Sequence, residues 1–264
     1  MGVISISDLV NRPYFVYIVG EMGSGKTTFL DLLDAYQVWL GNLGLEDNIF
    51  FTFTEPLPEK KLWDRYKECK NSQIRDPSIY MAQSHFAKQK RTIIDKAAGL
   101  EGERKPGFYF VDRSLQEDFY VFAKGLENLF TGKTYARYVE ETEPVLNSLP
   151  SPDLVVRLRV ERPEVSQKRV EGRGWGEKLP LSRYHKMAED YQRYIDPWIE
   201  HIEVPVISIR TDLPQFDFDT AAGQSYFLWT FLAGIRSATD SLGQPFWKLP
   251  YTPLPQEKIM VAKQ

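Results

Sequence analysis

Gly20-Glu21-Met22-Gly23-Ser24-Gly25-Lys26-Thr27 is the stretch on which the reading of this chain turns. A glycine, four free positions and then Gly-Lys-Thr is the spacing of a phosphate-binding loop. The flanks agree. Pro13 to Val19 is a short apolar run with strand character, and Thr27 to Leu33 has helical periodicity. Strand, glycine turn and helix start are the parts such a loop needs. Its backbone N–H groups curl around a β-phosphate, and the helix N-terminus adds partial positive charge. Gly20, Gly23, Ser24, Gly25, Lys26, Thr27 and Thr28 form the phosphate-binding set, with Lys26 reaching the terminal phosphates and the Thr27 hydroxyl ligating Mg²⁺. The pattern implies a nucleoside triphosphate ligand.

Working outward, 264 residues suit one α/β domain with insertions, here residues 1–242 followed by a proline-containing tail, 243–264. The chain is 42% hydrophobic and 26% charged, an ordinary globular balance, and its net charge of −3 argues against a dedicated nucleic-acid surface. Cys69 is the only cysteine, so no internal disulfide forms. His85, His185 and His201 are scattered, which argues against structural zinc. No signal peptide is visible, and no apolar run approaches the ~20 residues of a membrane span. The expectation is a soluble, intracellular protein of the cytoplasm, with mitochondria as an alternative, and with no membrane partner.

Taken in order, the lead-in carries a loose helix around residues 5–9, and the helix opened at Lys26 runs to about Leu40, where Gly41 to Gly44 ends it. A second strand covers 48–54 and stops at Glu55-Pro56, since proline cannot donate to a ladder. A charged helix over 59–71 follows. Asp76-Pro77 is an N-cap with proline at the first helical position, opening a helix over 78–98. Residues 107–111 form a third strand, 115–130 and 134–148 two helices, 153–160 a fourth strand and 204–209 a fifth. Helices over 163–171 and 182–202 lie between the last two strands, separated by a glycine-rich basic turn. Strands alternating with helices imply a five-stranded parallel sheet covered on both faces.

Ligands of such sheets bind beyond the carboxyl ends of the strands. Glu55, Asp112-Arg113 and the phosphate loop all fall at such ends, so one crevice is expected to hold them. Asp112 is placed as a second magnesium-organising carboxylate, Arg113 as a holder of acceptor or phosphate, and Glu55 as the base for an acceptor hydroxyl. Alone, Glu55 would read as a solvated loop residue; its company favours the catalytic role. Arg169 and Arg173, four apart, share a face before the glycines around Trp175. Two readings stand for 169–178: a lid over the donor phosphates, or a solvated helix end with its usual basic residues.

In their order these signals resemble the deoxynucleoside kinase family over roughly residues 14–212. The most specific part is Asp112-Arg113-Ser114-Leu115-Gln116-Glu117-Asp118-Phe119-Tyr120-Val121-Phe122-Ala123. The resemblance implies a P-loop kinase fold with a short lid, ATP as phosphate donor with Mg²⁺, a deoxyribonucleoside acceptor, nucleotide salvage and a homodimer. It implies Glu55 as base on the 5′-hydroxyl, Asp112 as the magnesium-side carboxylate and Arg113 as a steadying cation. Lys26, Arg169 and Arg173 would act on the donor phosphates, and Glu177 on the sugar 3′-hydroxyl. Gln83 would pair with the nucleobase edge beside Phe86. Asp118 matches an acidic base-side residue often paired with arginine, a place that Lys90 takes here; Trp175 stands where many members carry a third lid arginine, and Trp63 matches a family tryptophan loosely. A lysine lacks the arginine fork. Gln83 with Asp118 favours adenine, guanine or cytosine over thymine.

Two rivals share the same motifs. A thymidylate-type monophosphate kinase usually has arginine before Glu-Pro, where this chain has Thr54. A non-catalytic structural member of the fold would lack some chemical residue, and none is missing. A switch GTPase would need an Asn-Lys-x-Asp motif, which the sequence does not contain.

Overall fold

The protein is described by a computed structural model over residues 10, 12–42, 48–173 and 179–241. The loose helix expected at 5–9, the residues of 169–178 beyond Arg173, and the tail lie outside the described residues. Strands β1 (Pro13–Gly20), β2 (Phe50–Phe53), β3 (Gly107–Asp112), β4 (Leu154–Arg159) and β5 (Val206–Arg210) form one sheet in the order β2-β3-β1-β4-β5. Every pairing is parallel. β1 lies at the centre, so the chain leaves it one way for β2 and β3 and the other way for β4 and β5. That reversal of strand order opens the crevice at the strands' carboxyl ends. Ile18 pairs with Asp112, Gly20 with Leu158 and Phe53 with Val111, so three functional stretches leave the sheet side by side.

Period-two alternation divides the interior into two cores. Tyr14, Val16 and Ile18 of β1 face α1 (Lys26–Asn42) and α9 (Ala221–Ser241); Phe15, Tyr17 and Val19 face the remaining helices. The second group contains α2 (Lys60–Ser72) and α3 (Pro77–Ala98), then α4 (Leu115–Glu117), α5 (Thr134–Asn147), α6 (Pro163–Gly172), α7 (Leu181–Asp190) and α8 (Asp196–His201). α3 starts as its sequence indicates: the Asp76 side chain accepts a hydrogen bond from Ser78 N, with Pro77 at the first turn. Gly99 closes it in the left-handed region at φ 78°.

Two expectations change, and one helix is new. The helix expected over 115–130 is α4, a π-helix at Asp118–Ala123 and a 3₁₀ segment at Lys124–Leu129. The helix expected over 182–202 is likewise α7, a π turn at Tyr191–Ile195, and α8. Pro197 has no N–H for the carbonyl four residues back, so the regular pattern cannot run through it. α9 was not assigned from the sequence. Thr220 Oγ1 accepts from Gly223 N at 3.1 Å to start it, and Phe227, Leu228, Phe231, Leu232 and Ile235 are buried along one face. Phe29 of α1 meets the rings of Phe227 and Phe231 at 5.6 and 4.6 Å. No helix among the described residues is long and apolar enough to cross a membrane.

Candidate active site

The phosphate loop runs from β1 into α1. Gly23 and Gly25 take φ of 77° and 94°, which side chains seldom adopt. A Cβ on Gly23 would come within 2.6 Å of the Ser166 carbonyl oxygen, and one on Gly25 within 2.5 Å of the Phe218 ring. Lys26 is buried, and its Nζ donates to the carbonyl oxygens of Gly20 and, at 3.0 Å, Glu21. Burial pushes the Lys26 pKa down to about 8, and the positive charge of Arg113 adds to that. Thr27 is exposed and Thr28 half-buried, while Ser24 is buried inside the loop. The residues present therefore fit a triphosphate: a cradle too tight for side chains, an ammonium at its base and a free hydroxyl at its rim.

Beside it, Glu55 follows β2 and Arg113 follows β3. Arg113 sits in the left-handed region at φ 64°, a strained geometry characteristic of functional positions. Its Nη1 lies 3.4 Å from Glu55 Oε2, and its guanidinium covers the Phe122 ring at 4.4 Å. From α3 comes Lys90, 1% exposed, whose Nζ donates to the Asp112 carbonyl at 2.5 Å. The same Nζ is 3.5 Å from Glu55 Oε1 and 3.9 Å from Asp118 Oδ2. Burial pushes the Glu55 pKa upward, but Lys90 and Arg113 outweigh it and hold the carboxyl below its ordinary value. Burial and the neighbouring Glu55 push Asp118 up to about 8. Burial disfavours the Lys90 ammonium, yet Glu55 and Asp118 raise its pKa overall. The two cations thus favour the ionised form of Glu55, while Asp118 is the carboxyl of the pair that more readily takes a proton. Buried oxygens of Asp112 (Oδ1) and Asp118 (Oδ2) have no hydrogen bond.

Gln83, Phe86 and Lys90 are all buried along α3. Gln83 Nε2 donates to the Tyr66 hydroxyl at 3.1 Å. Trp63 stacks on Tyr66 at 5.4 Å, and Phe86 meets both rings edge-on at 6.1 and 6.3 Å. The structure thus joins Gln83 and Phe86 in one aromatic cluster and Glu55, Lys90, Asp112, Arg113 and Asp118 in one charged cluster. Arg169 sits elsewhere, along the phosphate loop. Its Nη2 donates to the Thr211 carbonyl at 2.7 Å, its Nη1 to Gly23 O at 3.2 Å, and its guanidinium lies over Phe218 at 4.8 Å. Burial lowers its pKa, and the neighbouring charge of Arg173 contributes. Arg173 itself caps α6. Glu177 and Trp175 lie outside the described residues.

Sequence reading missed Glu117, Tyr191, Arg157 and Phe218. Glu117, fully buried, takes two hydrogen bonds on Oε1, from Gly20 N at 3.0 Å and the Tyr191 hydroxyl at 2.6 Å. Its other oxygen accepts from Ser114 N at 2.7 Å in a capping box, and Ser-x-x-Glu was the signal that could have revealed it. Among the described residues no group of three or more His, Cys, Asp or Glu could hold a metal. A cation here would rest on the Thr27 hydroxyl and Asp112 together with ligand phosphates.

The family model described as deoxynucleoside kinase matches residues 16–226. No curated protein matches the chain. Among solved structures, deoxyadenosine kinase from M. mycoides with bound dATP aligns with a TM-score of 0.58 at 20% identity, over 83% of this chain and 99% of that one. The same enzyme with bound dCTP gives 0.56 at 19% identity, over 83% and 98%. At such identity the likeness speaks for the fold.

Proposed function

Since the chain belongs to the deoxynucleoside kinase family and is a kinase, we propose that it moves the γ-phosphoryl of ATP to the 5′-hydroxyl of a deoxyribonucleoside. The observation that carries this reading is an ionised Glu55 held between Lys90 and Arg113, beside the Lys26 loop. In this reading Glu55 accepts the hydroxyl proton as the oxygen attacks the γ-phosphorus, and Arg113 steadies both groups. Lys26, with Arg169 and Arg173, balances charge that builds on the phosphate oxygens. Mg²⁺, arriving with the triphosphate, would be met by Thr27 and Asp112 and would neutralise part of that charge. The 5′-monophosphate produced is a salvage product.

On the acceptor side, Phe86 with Trp63 and Tyr66 offers apolar faces to the base, and Gln83 with Asp118 offers polar partners to its edge. That set suits adenine, guanine or cytosine better than thymine. The M. mycoides enzyme holds dATP in one structure and dCTP in another. By family likeness Glu177 would meet the 3′-hydroxyl, and the chain would act as an intracellular homodimer, which light scattering on purified protein tests by mass.

The deciding experiment measures ATP consumption with each of the four deoxyribonucleosides and, in parallel, with their monophosphates. Turnover on a nucleoside is expected, fastest with an amino-bearing base. Turnover on monophosphates alone would instead favour the thymidylate-type reading, with Arg113 as a clamp for the acceptor phosphate. No turnover on any of them would favour a structural role.

A further inference from the structure

Glu21, the second residue of the phosphate loop, is acidic in a loop whose expected ligand is strongly anionic, and repulsion between the two would oppose binding. Its main chain serves the loop, since the Glu21 carbonyl accepts from Lys26 Nζ at 3.0 Å. Its side chain is drawn the other way, into the sheet. Arg157, in the middle of β4 and 4% exposed, grips it with both arms: Nη2 to Oε1 at 2.7 Å and Nη1 to Oε2 at 3.1 Å. A planar fork on a carboxylate fixes direction as well as distance.

Arg157 is in turn fixed from the helical stretch that α7 opens. Its Nε donates to Asp196 Oδ1 at 2.9 Å, and its guanidinium lies 4.7 Å from the centre of the Tyr191 ring. The π turn makes this possible, because the Asp196 N–H bonds the Tyr191 carbonyl five residues back and both side chains come to one side. One helical turn earlier, Met187 Sδ accepts from Met22 N at 3.5 Å. The Tyr191 hydroxyl lies 2.7 Å from Gly20 O. Three consecutive loop residues are thus tied to this one helical stretch, and Glu21 is tied only through Arg157.

We propose that Arg157 is a positioning residue for the donor nucleotide: its fork turns the Glu21 carboxylate away from the phosphates and sets the entry of the loop. This rests on the ATP-binding part of the proposed function. A merely structural arginine would affect both substrates alike, whereas a loop-positioning one acts on the donor.

The test uses Arg157→Lys, which keeps the charge and loses the fork, with ATP binding followed by titration calorimetry in the absence of any acceptor. Affinity for ATP should fall about tenfold, with the KM for ATP rising in step and the acceptor KM staying within about twofold. Adding Glu21→Gln to Arg157→Lys removes the uncovered carboxylate and should restore most of the lost affinity. Equal losses for both substrates, or no recovery in the double variant, would overturn the proposal. If Arg157→Lys does not fold, Glu21→Asp, one methylene short of the fork, carries the same expectation, and unchanged ATP affinity there overturns it. Wild-type protein that binds no ATP would overturn the kinase mechanism together with this inference; wild-type binding that the variants leave intact would overturn this inference alone.

Discussion

Glu55 owes its proposed role to two cations rather than to its place in the chain. Burial alone would raise its pKa, and Lys90 and Arg113 reverse that. Glu55→Gln keeps the shape and loses the proton acceptor, so kcat should fall by roughly 10²–10⁴ while the KM for ATP changes little; initial rates over an ATP series decide it. Asp118 behaves in the opposite sense, with its pKa raised to about 8 by burial and by Glu55. Its protonated form belongs to the folded state, so the stability it contributes is complete below the unfolded value near pH 4. That stability is lost as pH rises through about 8. Asp118→Asn does not ionise, and its melting temperature should gain on wild type steadily from pH 5 to pH 8, by on the order of 5 °C, and level off above. A constant gap between pH 5 and 9 would mean that Asp118 is charged throughout. At this scale the sequence was legible in placement: Lys26, Glu55 and Arg113, expected at neighbouring strand ends, do lie together. It was silent on Arg169 lying against Thr211 and on Glu21 turning into the sheet, because both depend on strands that are distant in the chain.

Among the elements, α3 was the plainest to read, since Asp76 and Pro77 announce its start and Gly99 its end. The cap also binds Arg65 at 2.6 Å, and these contacts hold the Asp76 carboxyl down at about 2. A lowered carboxylate pKa gives stability above the unfolded value, lost as pH falls toward the folded one. Asp76→Ala should therefore cost about 1 kcal/mol at pH 7 in urea unfolding, and the difference should shrink steadily from pH 4 to pH 2. The π turns at 118–123 and 191–195 were not legible. Helical periodicity looks much the same through one widened turn, and what rewards the widening is tertiary. α9 was legible and overlooked: its buried positions fall three and four apart, but Gly223 and Gly234 dilute the pattern. Gly234 is there for contact, as a Cβ would come within 2.6 Å of Ile207 in β5.

Across the whole molecule, α9 closes the core that backs the phosphate loop. Phe231 is fully buried against Phe29 and against Phe110 of β3, at 4.6 and 5.9 Å. Phe231→Ala should cost ~3–5 kcal/mol, read as a lower urea midpoint with an unchanged slope. A chain ending at Asp219 should be insoluble, since removing α9 bares this aromatic face of the sheet; soluble, cooperatively unfolding truncated protein would contradict that. The opposite face holds Lys90, and through it two properties usually discussed separately share one atom. The same ammonium touches the carboxylate assigned to take the proton and the one assigned to face the base. An engineer or a lineage that exchanges Lys90 to widen the diet of nucleosides also retunes Glu55. New tastes would then arrive with slower chemistry, and faster chemistry would have to be regained by second changes near β2 or β3.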